Sequence, residues 1–448
     1  MYVILLAGGS GKRLWPLSNM VRAKQFFKAY KDKNGSQGTM VVHVFEQIRK
    51  SNPNSQILIT TNTTKESMLK NILNEKVDYC VEPDQKDTFP AVSLALSYLH
   101  NVLNVGLSEC IIVCPIDIDA PLEFFNKFEE LEKCVSAGAD MALLGISPDY
   151  PSNQFAYVLP KDAKEKSQAA WYHEKPTELQ AKKYIEQGAL WSGGVYSFKL
   201  GHVLEKSQYA LGYKTYDDLC VMYKTLNKTS FAREIAEKEN NIEIVRYKGK
   251  WEDLGNWKSF SQSRVDDGEY AIVDQTSKNT RVINELRIPI VCVGCENMII
   301  AASAAGILVS DVEESVNIKP YVEKMSQQVM YAERTWGSFL MLDVQKNSLT
   351  VRVTLLKGHS LNYHSHRHRD EIWMIIKGNG VAIVDGEKKV VTVGDIVRLP
   401  RESKHTIYAE SNLQIIEVQM GEIAFEDKEI FDYYMGNMRI GEHIWKKR

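Results

Sequence analysis

The stretch VILLAGGSGKRLWPLS, running from Val3 to Ser18 and followed by KQFF at Lys24 to Phe27, decides the fold of this chain. Val3 to Ala7 is a short apolar run of the kind that forms a buried strand, and Gly8, Gly9 and Gly11 follow it at once. Glycines there let backbone N–H groups approach a ligand with no side chain in the way, which suits phosphate oxygens. Arg13 and Lys24 add cations nearby in sequence. The pattern is a phosphate cradle of neither common type. It lacks G-x-x-x-x-G-K-S/T, and Leu14 stands where the dinucleotide fingerprint G-x-G-x-x-G has its third glycine.

Outward from this loop, apolar runs alternate with helical patterns as far as Gln262, which predicts an α/β domain with a mainly parallel, Rossmann-like sheet over residues 1–265. Strands are expected at Gln56 to Thr60, Ile111 to Cys114 and Met141 to Ile146, with a helix from Thr88 to Leu103. A polar, turn-rich segment from Asp266 to Val282 opens a small β-rich unit, residues 266–330, with strands at Ile288 to Val293, Met298 to Ala302 and Gly306 to Ser310 and a helix near Glu313 to Gln327. Residues 331–448 read as consecutive antiparallel strands closing a barrel.

At 448 residues the chain is long enough for two or three domains, and its 44% hydrophobic and 25% charged content is that of a globular protein. A formal net charge of −2 gives no global attraction to nucleic acid or anionic membrane, so phosphate binding must be local. No run approaches the length of a membrane helix and the start lacks the pattern of a signal peptide, so a cytoplasmic protein is expected. Seven cysteines, mostly within apolar runs, read as buried reduced thiols. Cys292 and Cys295 form a C-x-x-C with no second pair to complete a zinc site.

GGSGKRLWPLS followed by KQFF resembles the opening signature L-A-G-G-x-G-T-R-L-x-P-L-S/T of the sugar-phosphate nucleotidyltransferases, most closely the mannose-1-phosphate guanylyltransferase branch, with Lys12 in place of threonine. That resemblance implies nucleotide binding by Leu6, Ala7, Gly8, Gly9, Gly11, Lys12 and Arg13, together with Glu82, Lys86 and Asp87. Nucleotidyl transfer gathers charge on phosphate oxygens, so cations and a divalent metal matter more than an acid or base, and Arg13 and Lys24 are the candidate catalytic cations. Asp117 in CPIDID, preferred over Asp119, and Asp253 in KWEDLGNW match the family's aspartate ligands for Mg²⁺. YHEKPTE carries Glu174 and Lys175 in the family's E-K-P, and WSGGVY carries Ser192 and Gly193; with Tyr157 these are the implied sugar-phosphate contacts.

The chain also departs from the family. EPDQKDTFPA has Lys86, Asp87 and Phe89 where arginine, asparagine and alanine are usual, Ala156 replaces a glycine, Ser192 an asparagine and Ala232 an aspartate. GTP and mannose 1-phosphate are the default substrates by resemblance, and these exchanges predict a shifted preference.

GHSLNYHSHRHRDEIWMIIKG meets every fixed point of the first cupin motif with Gly358, His364, His366, Glu371 and Gly378. Gly394, Pro400 and His405 meet the second, with Glu402 in place of its glycine. Three imidazoles and a carboxylate suit Zn²⁺ or another divalent transition metal. His366 with His368 is an alternative pair, since two residues are inserted before Glu371. A transferase joined to such a cupin, with RTWGSF between them, resembles bifunctional mannose-6-phosphate isomerase/mannose-1-phosphate guanylyltransferases. Asn362 replaces their glutamine, and their basic tail pattern is represented only by FEDKEIFDYYMGNM, so a structural or regulatory cupin is expected over an active isomerase. The implied partners are a nucleoside triphosphate and a sugar 1-phosphate, with a homodimer left open. An isomerase with a secondary transferase domain, and a cupin that only senses a sugar nucleotide, are the competing readings.

Overall fold

The computed structural model describes residues 1–9, 11–18, 23–31, 37–73, 77–263, 270–286, 288–325, 329–422, 428–436 and 438–441. The chain divides into two compact units: Met1–Leu14 with Ala23–Asp266 and Val312–Ile318, and Trp15–Arg22 with Asp267–Asp311 and Lys319–Arg448. No helix among the described residues is long and apolar enough to cross a membrane.

In the first unit, β1 (Tyr2–Leu6), β2 (Gln56–Asn62), β3 (Asp78–Glu82), β4 (Cys110–Pro115), β5 (Met141–Ile146), β6 (Ala156–Pro160), β7 (Lys166–His173), β8 (Leu190–Lys199) and β9 (Ile242–Tyr247) form one sheet in the order β3-β2-β1-β4-β8-β5-β9-β7-β6. Pairings β3-β2-β1-β4 and β5-β9 are parallel, while β8 runs antiparallel between β4 and β5, and β6 and β7 run antiparallel at the far edge. The sheet is therefore mixed where a mainly parallel one was expected, because a continuous apolar run looks the same whichever way its strand points. Central strands are buried on both faces: Val3 and Leu5 join one core cluster and Ile4 the other. α1 (Met40–Ser51) buries Val41, Val44, Phe45 and Ile48 at helical spacing against the first face. α2 (Thr63–Leu73) follows β2, and α3 (Thr88–Asn101) gives Val92, Leu96 and Leu99 to the second face. The carboxyl ends of β1, β3 and β4 lead into the glycine loop, Glu82 and CPIDID respectively, which is where open α/β sheets bind ligands.

In the second unit, Ala271–Val273 pairs with Ile290–Cys292, and Arg281–Asn284, Met298–Ser303 and Gly306–Asp311 form a three-stranded sheet. The helix expected over 313–327 is instead a single 3-10 turn at Glu314–Asn317, which belongs to the first unit, and a short helix at Lys319–Lys324 that begins afresh with Pro320 in its first turn, where the missing N–H costs no helical hydrogen bond. Residues 326–328, and 425–427 and 437 of the tail pattern, lie outside the described residues. A six-stranded sheet runs Tyr331–Arg334, Gly337–Val344, Ser348–Leu355, Leu413–Gly421, Arg369–Lys377, Ile396–Leu399, and a five-stranded one runs Glu387–Val391, Gly380–Val384, His405–Ala409, Tyr363–His366, Lys428–Phe431. Val351, Trp373 and Ile415 of the first and Ala382, Val391 and Ile407 of the second share one core, the interior of the expected cupin barrel.

Candidate active site

β1 ends at Leu6, and the chain turns through Ala7, Gly8 and Gly9 before Gly11, at φ 68°, opens the 3-10 turn Lys12–Leu14. Ala7 is buried, and its carbonyl accepts from Gln25 Nε2 at 2.8 Å. A Cβ on Gly8 would collide with Glu82 Oε1, so any larger residue there would have to displace the Glu82 side chain. Glu82 is buried, accepts from the Tyr223 hydroxyl at 2.9 Å, and burial pushes its carboxyl up to about 7. Lys65, from α2, reaches under the same loop. It is 1% exposed and donates to Gly8 O at 2.9 Å and Gly9 O at 2.8 Å, and burial brings its ammonium down to about 8. Gln85 Nε2 adds a second donor to Gly8 O at 3.0 Å. Sequence reasoning missed Lys65, Gln85 and Tyr223.

Beyond the loop, charge converges on Gly255. The short ladder of Ile118–Asp119 with Glu252–Asp253, and the hydrogen bond from Leu254 N to Asp117 O at 2.8 Å, bring two distant segments together. Lys24 forms an ion pair with Asp117, and Asp253 Oδ1 accepts from Gly255 N at 2.7 Å. A Cβ on Gly255 would lie 2.7 Å from Asp253 Oδ1, 3.0 Å from Asp117 Oδ2 and 3.0 Å from Lys24 Nζ, so all three groups face one point. Burial works to raise the Asp117 carboxyl, but the Lys24 ammonium outweighs it and, with Arg13, holds Asp117 below the usual carboxylate range. Asp253 is pushed above that range by burial and by the Asp117 charge. Two hard-oxygen carboxylates set this close together fit a divalent cation. Asp119 points elsewhere, pairing with Lys250 at 2.8 Å.

The remaining candidates split into two groups. Glu174 is buried, accepts from Ser230 Oγ at 2.6 Å and lies 3.5 Å from both Lys175 Nζ and Arg233 Nε. Lys175 itself is held at φ 49°. Ser192 Oγ lies 3.4 Å from the Tyr196 hydroxyl, which meets the Tyr172 hydroxyl at 2.9 Å. A register shift in β8 between Ser192 and Tyr196 turns Gly193 toward Ile146 and the Trp251 indole. The indole N–H groups of Trp191 and Trp251 are buried without a hydrogen-bond partner among the described residues. By contrast, Tyr157 is fully buried with its hydroxyl accepting from Ser152 N at 2.9 Å. Lys86 Nζ donates to Lys224 O at 2.6 Å, and Asp87, at φ 72°, caps α3.

In the barrel, His364, His366, Glu371 and His405 are buried, and their donor atoms lie within 4.8 Å of one another. Nδ1 of His364 lies 2.6 Å from Asn362 O and Nδ1 of His405 2.9 Å from Ser403 O, leaving Nε2 of each ring to face inward. His366 Nε2 and His405 Nε2 are 3.2 and 3.3 Å from Glu371. The donor set fits a divalent transition metal. His368 is exposed and stands apart from this group, so the structure assembles His364 with His366. Arg369, inserted before Glu371, bonds to both Glu371 Oε1 and His366 Nε2 at 3.0 Å. Glu402 adopts φ 64°, the left-handed conformation for which the motif has glycine.

A glycine loop follows a central strand, and a Cβ on Gly9 would lie 3.9 Å from the side chain of Lys24, the lysine paired with Asp117. The chain belongs to the nucleotidyl transferase family, whose model matches residues 2–269. Residues 322–432 match the model of the mannose-6-phosphate isomerase C-terminal domain. Alginate biosynthesis protein AlgA of Pseudomonas putida is 24% identical over 475 aligned residues, covering 95% of this chain and 94% of that one. The mannose-1-phosphate guanylyltransferase of Salmonella montevideo is 24% identical over 469, covering 95% and 97%. The solved mannose-1-phosphate geranyltransferase from Thermus thermophilus shares the fold, with a TM-score of 0.58 at 22% identity over 72% of this chain and 98% of that one. The resemblance drawn from the N-terminal signature and the cupin motif therefore holds. Nucleotidyltransferases and cupins generally use divalent metals, and this chain carries side-chain groups of that kind.

Proposed function

We propose that this protein joins a sugar 1-phosphate to a nucleoside triphosphate, with GTP and mannose 1-phosphate giving GDP-mannose and pyrophosphate as the default reaction. An oxygen of the sugar phosphate attacks the α-phosphorus in line, the new P–O bond forms, and the bond to pyrophosphate breaks. The amides of the glycine loop bind the triphosphate, and Arg13 and Lys24 stabilise the charge that builds on its oxygens. Asp117 and Asp253 would hold Mg²⁺, which supplies further charge neutralisation on the transferring phosphate. Glu174 accepts from sugar hydroxyls, Lys175 pairs with the sugar phosphate, and Ser192, Gly193 and Tyr157 shape that side of the pocket. The unpaired indole N–H groups of Trp191 and Trp251 favour a ligand rich in oxygen acceptors there. Glu82, Lys86 and Asp87 border the nucleotide; because Lys86 and Asp87 are already bonded within the protein, base selection differs from that of a guanylyltransferase with arginine and asparagine. His364, His366, Glu371 and His405 would hold Zn²⁺ or a similar ion in the barrel, in a structural or regulatory role. Residues 1–265, 266–330 and 331–448 serve as the working domains.

The observation that carries this reading is the convergence of Lys24, Asp117 and Asp253 on Gly255. Pyrophosphate release titrated with Mg²⁺ tests it: Asp117→Asn and Asp253→Asn should each lose most activity and require more Mg²⁺. Asn variants that titrate like the parent would remove these residues from the site.

A further inference from the structure

We infer that Lys65 is a positioning residue that sets the glycine loop to receive the triphosphate; the inference rests on the nucleotidyltransferase reading above. Lysine is almost never fully buried without a charged partner in contact, because desolvating an ammonium is costly. Lys65 is 1% exposed, and the hydrogen bonds its ammonium donates go to two neutral carbonyls, Gly8 O and Gly9 O. Glu82 acts on it only as a nearby charge. So costly a cation needs a purpose, and the peptide geometry supplies one.

In a trans peptide the N–H points opposite to the C=O of the same unit. Gln25 takes Ala7 O, while Gln85 and Lys65 take Gly8 O. Fixing those two carbonyls fixes the amides of Gly8 and Gly9 in the opposite sense, as a nest of donors for an anion. The same bonds turn away the carbonyl oxygens, which would repel phosphate. Lys65 thus acts through the loop. Its position also explains why it escapes notice in sequence: it follows Gly8 by 57 residues, within the polar run TNTTKES.

The test is steady-state kinetics of Lys65→Met, which keeps the volume and removes the donors, and of Lys65→Gln, which keeps two N–H groups. The triphosphate is whichever of GTP, ATP, UTP, CTP and dTTP supports wild-type turnover. For Lys65→Met the KM for triphosphate should rise by about tenfold to a hundredfold, the loss expected for charge-assisted hydrogen bonds, while the KM for sugar 1-phosphate stays within about twofold. Lys65→Gln should fall between. A triphosphate KM unchanged in both variants, or equal rises for both substrates together with a lowered melting temperature, would overturn the inference. Should Lys65→Met not fold, Lys65→Gln and Gln85→Ala decide by the same split. A wild-type protein that releases no pyrophosphate with any pair would instead defeat the underlying reading.

Discussion

Replacing Gly255 by alanine inserts one methyl group at the point where the charged residues meet. Its Cβ would sit 2.7 Å from Asp253 Oδ1 and 3.0 Å from both Asp117 Oδ2 and Lys24 Nζ. Comfortable contact at carbon is about 3.5 Å, so these groups must retreat by roughly 0.5–1 Å. Displacing reacting groups by about 1 Å can cost about a hundredfold in rate, which puts the expected loss of turnover at about ten- to a hundredfold. The backbone at Gly255 is not in the left-handed region, so alanine meets no conformational strain. Overpacking costs about 1–3 kcal/mol, and the stiffer unfolded chain returns about 0.4–1 kcal/mol, so the protein should stay folded. The assay is pyrophosphate release across a Mg²⁺ titration, with thermal denaturation alongside. Turnover and Mg²⁺ half-saturation within about twofold of the parent would refute the geometry, since a methyl group there could not then be touching the groups that react.

Arg13→Ala should lower turnover by about a hundredfold or more, as for one preorganised charge donor, because Arg13 acts on both aspartates. A mutant with normal turnover and only a raised KM would place it in ground-state binding instead. Glu402→Gly should stabilise the barrel: relieving a left-handed glutamate regains about 1–2 kcal/mol and glycine's extra freedom returns somewhat less than that. Calorimetry should therefore show the barrel's transition rising by about 1–3 °C, and a fall would mean that the Glu402 side chain outweighs its backbone strain.

The parts of the fold that are legible in sequence are those where one local pattern has one physical meaning. Met141–Ile146 is legible to the residue, because a six-residue apolar run between polar turns is too short for a buried helix and long enough for a buried strand. His364, His366, Glu371 and His405 are legible because they fall on the fixed points of the cupin motifs, and the two-residue step from His364 to His366 along one strand already puts those rings on one face. Gly8 and Asp253 are readable as motif positions, yet the reason for Gly8, the Glu82 carboxylate pressed against it, is a contact between distant segments that no local pattern encodes. Lys65 is invisible for the same reason, since a lysine among threonines and a glutamate looks like solvated surface. The antiparallel course of β8 is hidden as well, because direction depends on where the chain has been. Lys86 and Asp87 read as ligand contacts from their place in a motif, whereas the structure shows which protein partners they already hold.

Nucleotidyl transfer at the Gly255 cluster can be observed in one experiment. Its most direct test is pyrophosphate release by the full-length protein with GTP, ATP, UTP, CTP and dTTP, each against a panel of hexose 1-phosphates, in Mg²⁺ and in excess chelator. Release should need both substrates and the metal and collapse in Asp117→Asn, with a preference other than strict GTP plus mannose 1-phosphate. Absence of release from every pair, or release that persists in Asp117→Asn and in chelator, would contradict transfer at this cluster.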